Sequence, residues 1–155
     1  MTNNIPKSCK VVVIGGGVAG CSIAYHLAKF GWQDTVLLER DVLTSGTTWH
    51  AAGLIGQLGS SATITKLRNY SLNLYKKLEK ETGLSTGLKQ NGSLTVATTQ
   101  DRLEELKRQV TFAQRFDIEA NVVNIDEILE IYPLINVEDI IGGVFIPRDG
   151  QADPI

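Results

Sequence analysis

The chain has 155 residues, 43% hydrophobic and 21% charged, with a formal net charge of −2. That composition suits a folded domain with one core of moderate size, and the near-neutral balance offers no electrostatic footprint for nucleic acid or an anionic membrane. Its one tight basic cluster, Lys76, Lys77 and Lys80, is interleaved with Glu79 and Glu81 and reads as a solvated helix face.

In chain order, "KVVVIGGG" (10–17) is a β-branched run stopped by glycines, which predicts a fully buried parallel strand. "VAGCSIAYHLAKFG" (18–31) predicts a helix with Ile23, Leu27 and Phe30 on its apolar side and Gly31 past its end. "TVLLER" (35–40) predicts a second buried strand, giving a right-handed βαβ unit over 10–40. Residues 41–61 are rich in Gly, Ser, Thr and Ala without amphipathic period, a loop long enough to suggest a functional role.

A helix follows over 62–82, with Ile64, Leu67, Leu74 and Leu78 as its stripe and Gly83 as its stop. "GSLTVAT" (92–98) alternates as a strand does. Residues 100–116 predict a helix striped by Leu103, Leu106, Val110 and Ala113, with Thr98 and Asp101 as a capping box and Glu104–Arg108 as an i,i+4 pair. A short strand near 121–124, a helical turn at 126–131 before Pro133, and a strand over 140–147 complete the reading. The chain stops at "IPRDGQADPI", whose Asp-Pro normally introduces another element, so the expectation is the N-terminal portion of a longer protein. The fold class expected is α/β: a Rossmann-type βαβ unit with additional helices and strands.

Two cysteines, Cys9 and Cys21, make neither a disulfide framework nor a metal site and suit a reducing compartment. "MTNNIPKSCK" is too short and polar for a signal peptide, and no apolar run approaches the roughly 20 residues that span a bilayer. The expected location is therefore the cytoplasm of a bacterium. In a eukaryote it would be the mitochondrial matrix, although no transit peptide is visible.

Gly15-x-Gly17-x-x-Gly20 lies where a dinucleotide fingerprint belongs, between a strand and a helix. Gly15 permits the tight turn, Gly17 lets backbone approach a pyrophosphate, and Gly20 lets the helix pack close to the strand. The helix N-terminus offers unpaired N–H groups to the phosphates. Glu39, at the end of the second strand, is placed to accept from a ribose hydroxyl, and its carboxylate disfavours the 2′-phosphate of NADP. The bland alternative is a glycine turn that binds nothing, and the fingerprint alone leaves NAD and FAD open.

"TSGTTWHAAGLIG" (44–56) is small-sided and rich in backbone donors, and holds His50, one of two histidines. "LTSGTTWHAAGL" closely resembles the flavin-attachment segment of the dimethylglycine dehydrogenase and sarcosine dehydrogenase family of FAD-dependent amine oxidoreductases. "YSLNLYKKLEKETG", "QNGSLTVATT" and "PRDGQADP" resemble corresponding parts of that family, so the likeness runs from Lys10 onward. It implies FAD as cofactor and a larger two-domain FAD oxidoreductase fold, with 10–40 as the dinucleotide unit, 41–61 as the flavin loop and 62–155 as the start of the remaining domain.

By position, the resemblance puts Val18 and Ala19 at the pyrophosphate and Glu39 and Arg40 at the adenosine end. Gly46, Thr47, Thr48, Trp49, His50, Ala51, Ala52, Gly53 and Leu54 would surround the flavin, with His50 bonded covalently to the flavin 8α-methyl carbon. An imidazole held at near-attack distance can make that bond. The implied reaction is hydride transfer from an N-methyl carbon of dimethylglycine, sarcosine or a similar amino acid to flavin N5. Oxygen or an electron-transfer flavoprotein would accept the electrons. A tetrahydrofolate-binding domain would follow residue 155 if the one-carbon unit is captured.

No catalytic base is assigned, and the 155 residues alone are expected to be inactive and to bind FAD weakly. His50 as a loop histidine bonded to backbone is the bland alternative, and His26 within the first helix reads as a packing or surface residue. No His or Cys neighbours His50 in sequence, so no metal is expected. Two other readings stay open: a non-covalent FAD oxidoreductase of the glycine or D-amino-acid type, and a non-catalytic regulatory subunit resembling that of pyruvate dehydrogenase phosphatase.

Overall fold

A computed structural model describes residues 6–154, in two compact units. The first runs to Ala52 and the second covers Gly53–Asp153.

In the first unit, β1 (Val11–Ile14) and β2 (Thr35–Leu38) pair in parallel, with Val11 opposite Thr35 and Ile14 opposite Leu38. The crossover is α1 (Val18–Lys29). Only Val13 of β1 is buried, whereas Val12 and Ile14 are 50% and 86% exposed, so neither strand is fully buried as predicted. A parallel strand is buried on both faces only when helices cover both, and α1 covers one. The helix also sits differently from expectation. Gly20 is buried and Ala24 and Leu27 are half-buried, while Ile23 and Phe30 of the predicted stripe are exposed. Contact between Gly20 and the turn before it fixes the helix rotation, and positions four and seven residues on share that face. Gly31, at φ 85°, ends the helix in the left-handed region, with Trp32 N–H donating to Leu27 O. Within the predicted loop, Thr48–His50 forms a 3₁₀ turn.

The second unit is built on a three-stranded antiparallel sheet in the order β4 (Ser93–Ala97), β6 (Gly142–Ile146), β5 (Asn121–Val123). The period of two sorts its residues. Ala97, Val144 and Ile146 pack on Leu106 and Ala113 of α3 (Gln100–Gln114), with Leu103 and Val110 beside them. Leu94, Val96 and Phe145 pack on the other side with Ile128 of α4 (Ile125–Ile131) and Ile140.

Capping differs from the prediction. Thr99, not Thr98, caps α3 by accepting Arg102 N–H at 3.3 Å, and Asn124 with Glu127 forms the capping box, on α4. The ion pairs on α3 are Arg102–Glu105 and Lys107–Glu104 at i,i+3, in place of Glu104–Arg108. Both are exposed and contribute little.

Helix α2 (Ala62–Thr82) has its predicted bounds but an inward face that differs in its first half. Thr65 and Leu72 are buried and Asn69 half-buried; of the predicted stripe, Leu74 and Leu78 are half-buried while Ile64 and Leu67 are exposed. Polar bonds set this rotation. Thr65 Oγ1 accepts Gly59 N–H at 3.1 Å and donates to Ser61 O at 2.9 Å, and Asn69 Oδ1 accepts Gln57 Nε2–H at 2.9 Å. A two-residue ladder, β3 (Leu54–Ile55) with β7 (Gly150–Gln151), was not foreseen. Beside it lies Asp149, 5% exposed, whose carboxylate accepts from Gln57 N–H and Ser93 Oγ–H, each at 2.7 Å. No helix among the described residues is long and apolar enough to cross a membrane.

Candidate functional site

The glycine fingerprint is the turn from β1 into α1. Gly15 has φ 102°, a conformation that excludes most side chains, and a Cβ there would meet nothing within 4 Å. A Cβ on Gly20 would lie 1.8 Å from Gly15 O, so α1 approaches β1 as only glycine permits. Gly17 is the N-cap residue of α1 and brings no side-chain cap. The first N–H groups of a helix lack intrahelical partners, and that of Val18 is taken by Thr48 Oγ1 at 2.9 Å.

Glu39 lies past the end of β2 and turns back to this turn. Its Oε2 accepts Gly16 N–H at 2.6 Å, and its Oε1 accepts those of Arg40 and Asp41 at 2.7 and 3.2 Å. These bonds, Gly16's foremost, hold the carboxyl below the usual carboxylate range, with the Arg40 charge acting in the same direction. A carboxylate has about four acceptor positions, and three are used, leaving one for a ligand hydroxyl. Glu39 and Arg40 line a cleft of about 380 Å³ with Gly15, Asp41, Ser45 and Gly46. It opens beyond the carboxyl ends of two parallel strands, where open α/β sheets bind their ligands.

The loop after β2 returns to the glycine turn. Thr44, left-handed at φ 68°, donates its N–H to Gly16 O at 3.0 Å. From there the chain passes Gly46 and Thr47 into the 3₁₀ turn, which presents His50 exposed beside Trp49, their rings 4.2 Å apart. His50 Nδ1 lies 3.1 Å from Gly46 O. A carbonyl only accepts, so in this contact Nδ1 is the donor, and the neutral form of the ring then has its lone pair on Nε2.

The expected residues Gly15, Gly17, Val18, Ala19, Gly20, Glu39, Arg40 and Gly46 through Ala52 thus share the first unit. Gly53 and Leu54 belong to the second, where Gly53 O accepts Ala152 N–H at 2.8 Å and Leu54 pairs with Gln151. Gly16, Asp41, Thr44 and Ser45 join the site without having been expected. Their signal was proximity to the fingerprint and the loop, which says nothing of the specific bonds. His26 is half-buried on α1, with Nδ1 2.6 Å from Ser22 O and its ring edge-on to Tyr25 at 5.1 Å. Among the described residues no group of three metal-ligating side chains occurs.

The turn, the acid and the cleft define an α/β dinucleotide-binding unit. Residues 10–155 match the family model "FAD dependent oxidoreductase", and the chain belongs to that family. It is 46% identical over 151 residues to the mitochondrial sarcosine dehydrogenase of Homo sapiens, covering 97% of this chain and 16% of that protein. It is 43% identical over 145 residues to the mitochondrial dimethylglycine dehydrogenase of Rattus norvegicus, covering 94% and 17%. The mitochondrial pyruvate dehydrogenase phosphatase regulatory subunit of Mus musculus is 42% identical over 145 residues, covering 94% and 16%. Among solved structures, L-proline dehydrogenase from P. horikoshii superposes with a TM-score of 0.89 at 31% identity, over 97% of this chain and 39% of that one. The chain therefore spans about a sixth of the length of these curated relatives.

The first unit fits the family's cofactor. Space is open above Gly15 and Gly46, where a Cβ would touch nothing, and Glu39, with three N–H donors on its carboxylate, lines the same cleft.

Proposed function

We propose that this chain is the FAD-binding portion of an amine oxidoreductase acting on a small N-methylated amino acid of the sarcosine or dimethylglycine type, with FAD bonded covalently to His50. The observation that carries the proposal is the presentation of His50: exposed, walled by Trp49, and held in one tautomer by Gly46 O. When bound, FAD supplies the hydride acceptor for the N-methyl carbon of the substrate.

The chain's residues prepare that site. Gly15 through Gly20 receive the pyrophosphate at the N-terminus of α1, and Glu39 accepts a ribose hydroxyl. Gly46 O orients the imidazole and leaves Nε2 as the nitrogen that would be offered to the 8α carbon of a bound flavin. His50 would supply the nucleophile for the linkage, and the bound flavin the electrophilic carbon and the electron sink. Holding the nitrogen at the carbon before reaction is the residue-level contribution to that step.

The test is the mass of the denatured full-length gene product. Wild type is expected to carry an added flavin mass on the peptide containing His50, and His50→Ala to carry none. Fully acid-extractable FAD in the wild type would sink the covalent claim and favour a non-covalent amino-acid oxidoreductase. Anaerobic addition of sarcosine or N,N-dimethylglycine is expected to bleach the flavin and release formaldehyde, less so when tetrahydrofolate is present. The regulatory-subunit relative is nearly as similar as the dehydrogenases, so an unbleached flavin with every N-methyl amino acid tried would favour a non-catalytic role.

A further inference from the structure

We propose that Thr48 is the positioning residue for His50: by accepting the Val18 N–H, its hydroxyl fastens the 3₁₀ turn that carries the imidazole to the N-terminus of α1. The inference rests on the reading that His50 carries the flavin. A helix start normally takes its cap from Ser, Thr, Asp or Asn at the N-cap position. Here that position is Gly17, which has no side chain to give, and the hydroxyl comes from Thr48, thirty residues beyond Val18, at 2.9 Å. The exchange is mutually exclusive, since a Cβ on Gly17 would lie 2.9 Å from Thr48 Oγ1.

Thr48 and His50 are the first and last residues of one 3₁₀ turn, in which His50 N–H donates to Thr47 O at 3.2 Å and Ala51 N–H to Thr48 O at 3.0 Å. A second stitch, Thr44 N–H to Gly16 O at 3.0 Å, fixes the other end of the loop. Between the two stitches lies Gly46, whose carbonyl sets the His50 tautomer. Thr48 therefore fixes both the imidazole and the group that orients it. Helix geometry still leaves the N–H groups of Ala19 and Gly20 for phosphate. The hydroxyl keeps its place when the dinucleotide binds, and the turn that holds the pyrophosphate also aims the histidine.

The test uses the full-length gene product prepared without flavin. FAD is added and covalent flavin is followed by fluorescence of the acid-precipitated protein. Thr48→Val keeps the shape and removes the hydroxyl, whereas Thr48→Ser keeps the hydroxyl. With FAD at saturation for each variant, Thr48→Val is expected to slow attachment at least about fivefold, and Thr48→Ser to attach within about twofold of wild type. The Val18 amide is expected to exchange faster in Thr48→Val and not in Thr48→Ser. Attachment by Thr48→Val at the wild-type rate, or equal slowing in both variants, overturns the proposal. His50→Ala separates the two readings. If it retains covalent flavin, or if wild type forms none, the attachment reading fails by itself, and a Val18 amide equally protected in Thr48→Val then overturns the stitch.

Discussion

The carboxylate of Glu39 closes on the backbone N–H of Gly16 at 2.6 Å, so the acid after β2 braces the turn after β1. The bond has a pH signature. Backbone donors, led by Gly16, lower the folded-state pKa of Glu39 beneath its unfolded value. Its contribution to stability is therefore complete above the ordinary carboxylate pKa, and is lost as pH falls through the folded value. Glu39→Gln is expected to melt below wild type at about pH 7, with the gap closing toward about pH 3. Thermal melts across that range check it, and a gap that stays constant with pH would contradict the assignment.

Two glycines of the first unit should respond oppositely to one added methyl group. Gly20→Ala puts a Cβ 1.8 Å from Gly15 O and must push α1 away from β1, whereas Gly46→Ala meets nothing within 4 Å. The first is expected to cost about 1–3 kcal/mol or more, as overpacking does, and to weaken FAD binding. The second is expected to stay within about 0.5 kcal/mol. Denaturant unfolding monitored on the first unit distinguishes them.

Asp149 joins three parts of the second unit. Replacing it with Ala leaves the Gln57 N–H and the Ser93 hydroxyl without their acceptor in a site only 5% exposed. The expected loss is about 2–4 kcal/mol, the upper part reflecting a charged acceptor. Asp149→Asn keeps one acceptor oxygen and is expected to lose less. Urea midpoints of the two variants check the order.

Leu106 and Leu67 were both placed on apolar stripes by their spacing, yet they differ in exposure at 1% and 58%. Leu106→Ala is expected to cost about 2–5 kcal/mol and Leu67→Ala of this chain under about 1 kcal/mol. Equal losses would show that Leu67 is covered in the folded chain.

These contrasts mark what could be read in the residues. The βαβ unit, α2 and α3 were legible because long helices and glycine-bounded β-branched runs carry strong local signals. The stripe of α3 was also legible, since Leu103, Leu106, Val110 and Ala113 face an apolar sheet. The stripe of α2 was legible only in its second half, at Leu74 and Leu78, because Thr65 and Asn69 are drawn inward by bonds to residues outside the helix, which a hydrophobic period cannot register. The cap of α3 was missed by one residue because Thr98 and Thr99 are chemically alike. The β3–β7 ladder was invisible since its strands are two residues long and lie about a hundred positions apart. In the site, the glycines and Glu39 were readable from spacing, but the tie between Thr48 and Val18 existed only once the loop had folded back.

That short ladder also gives the second unit a neck. Gly53 O and Ala152 N–H are one hydrogen bond apart, so this stretch of chain enters and leaves at the same spot, like a purse drawn shut. Closing so long a loop costs entropy that no local contact returns, and the neck can form only after residue 151 has been synthesised. A Cβ added at Gly150 would strike Lys89 O at 2.0 Å, so a substitution there is expected to open the neck.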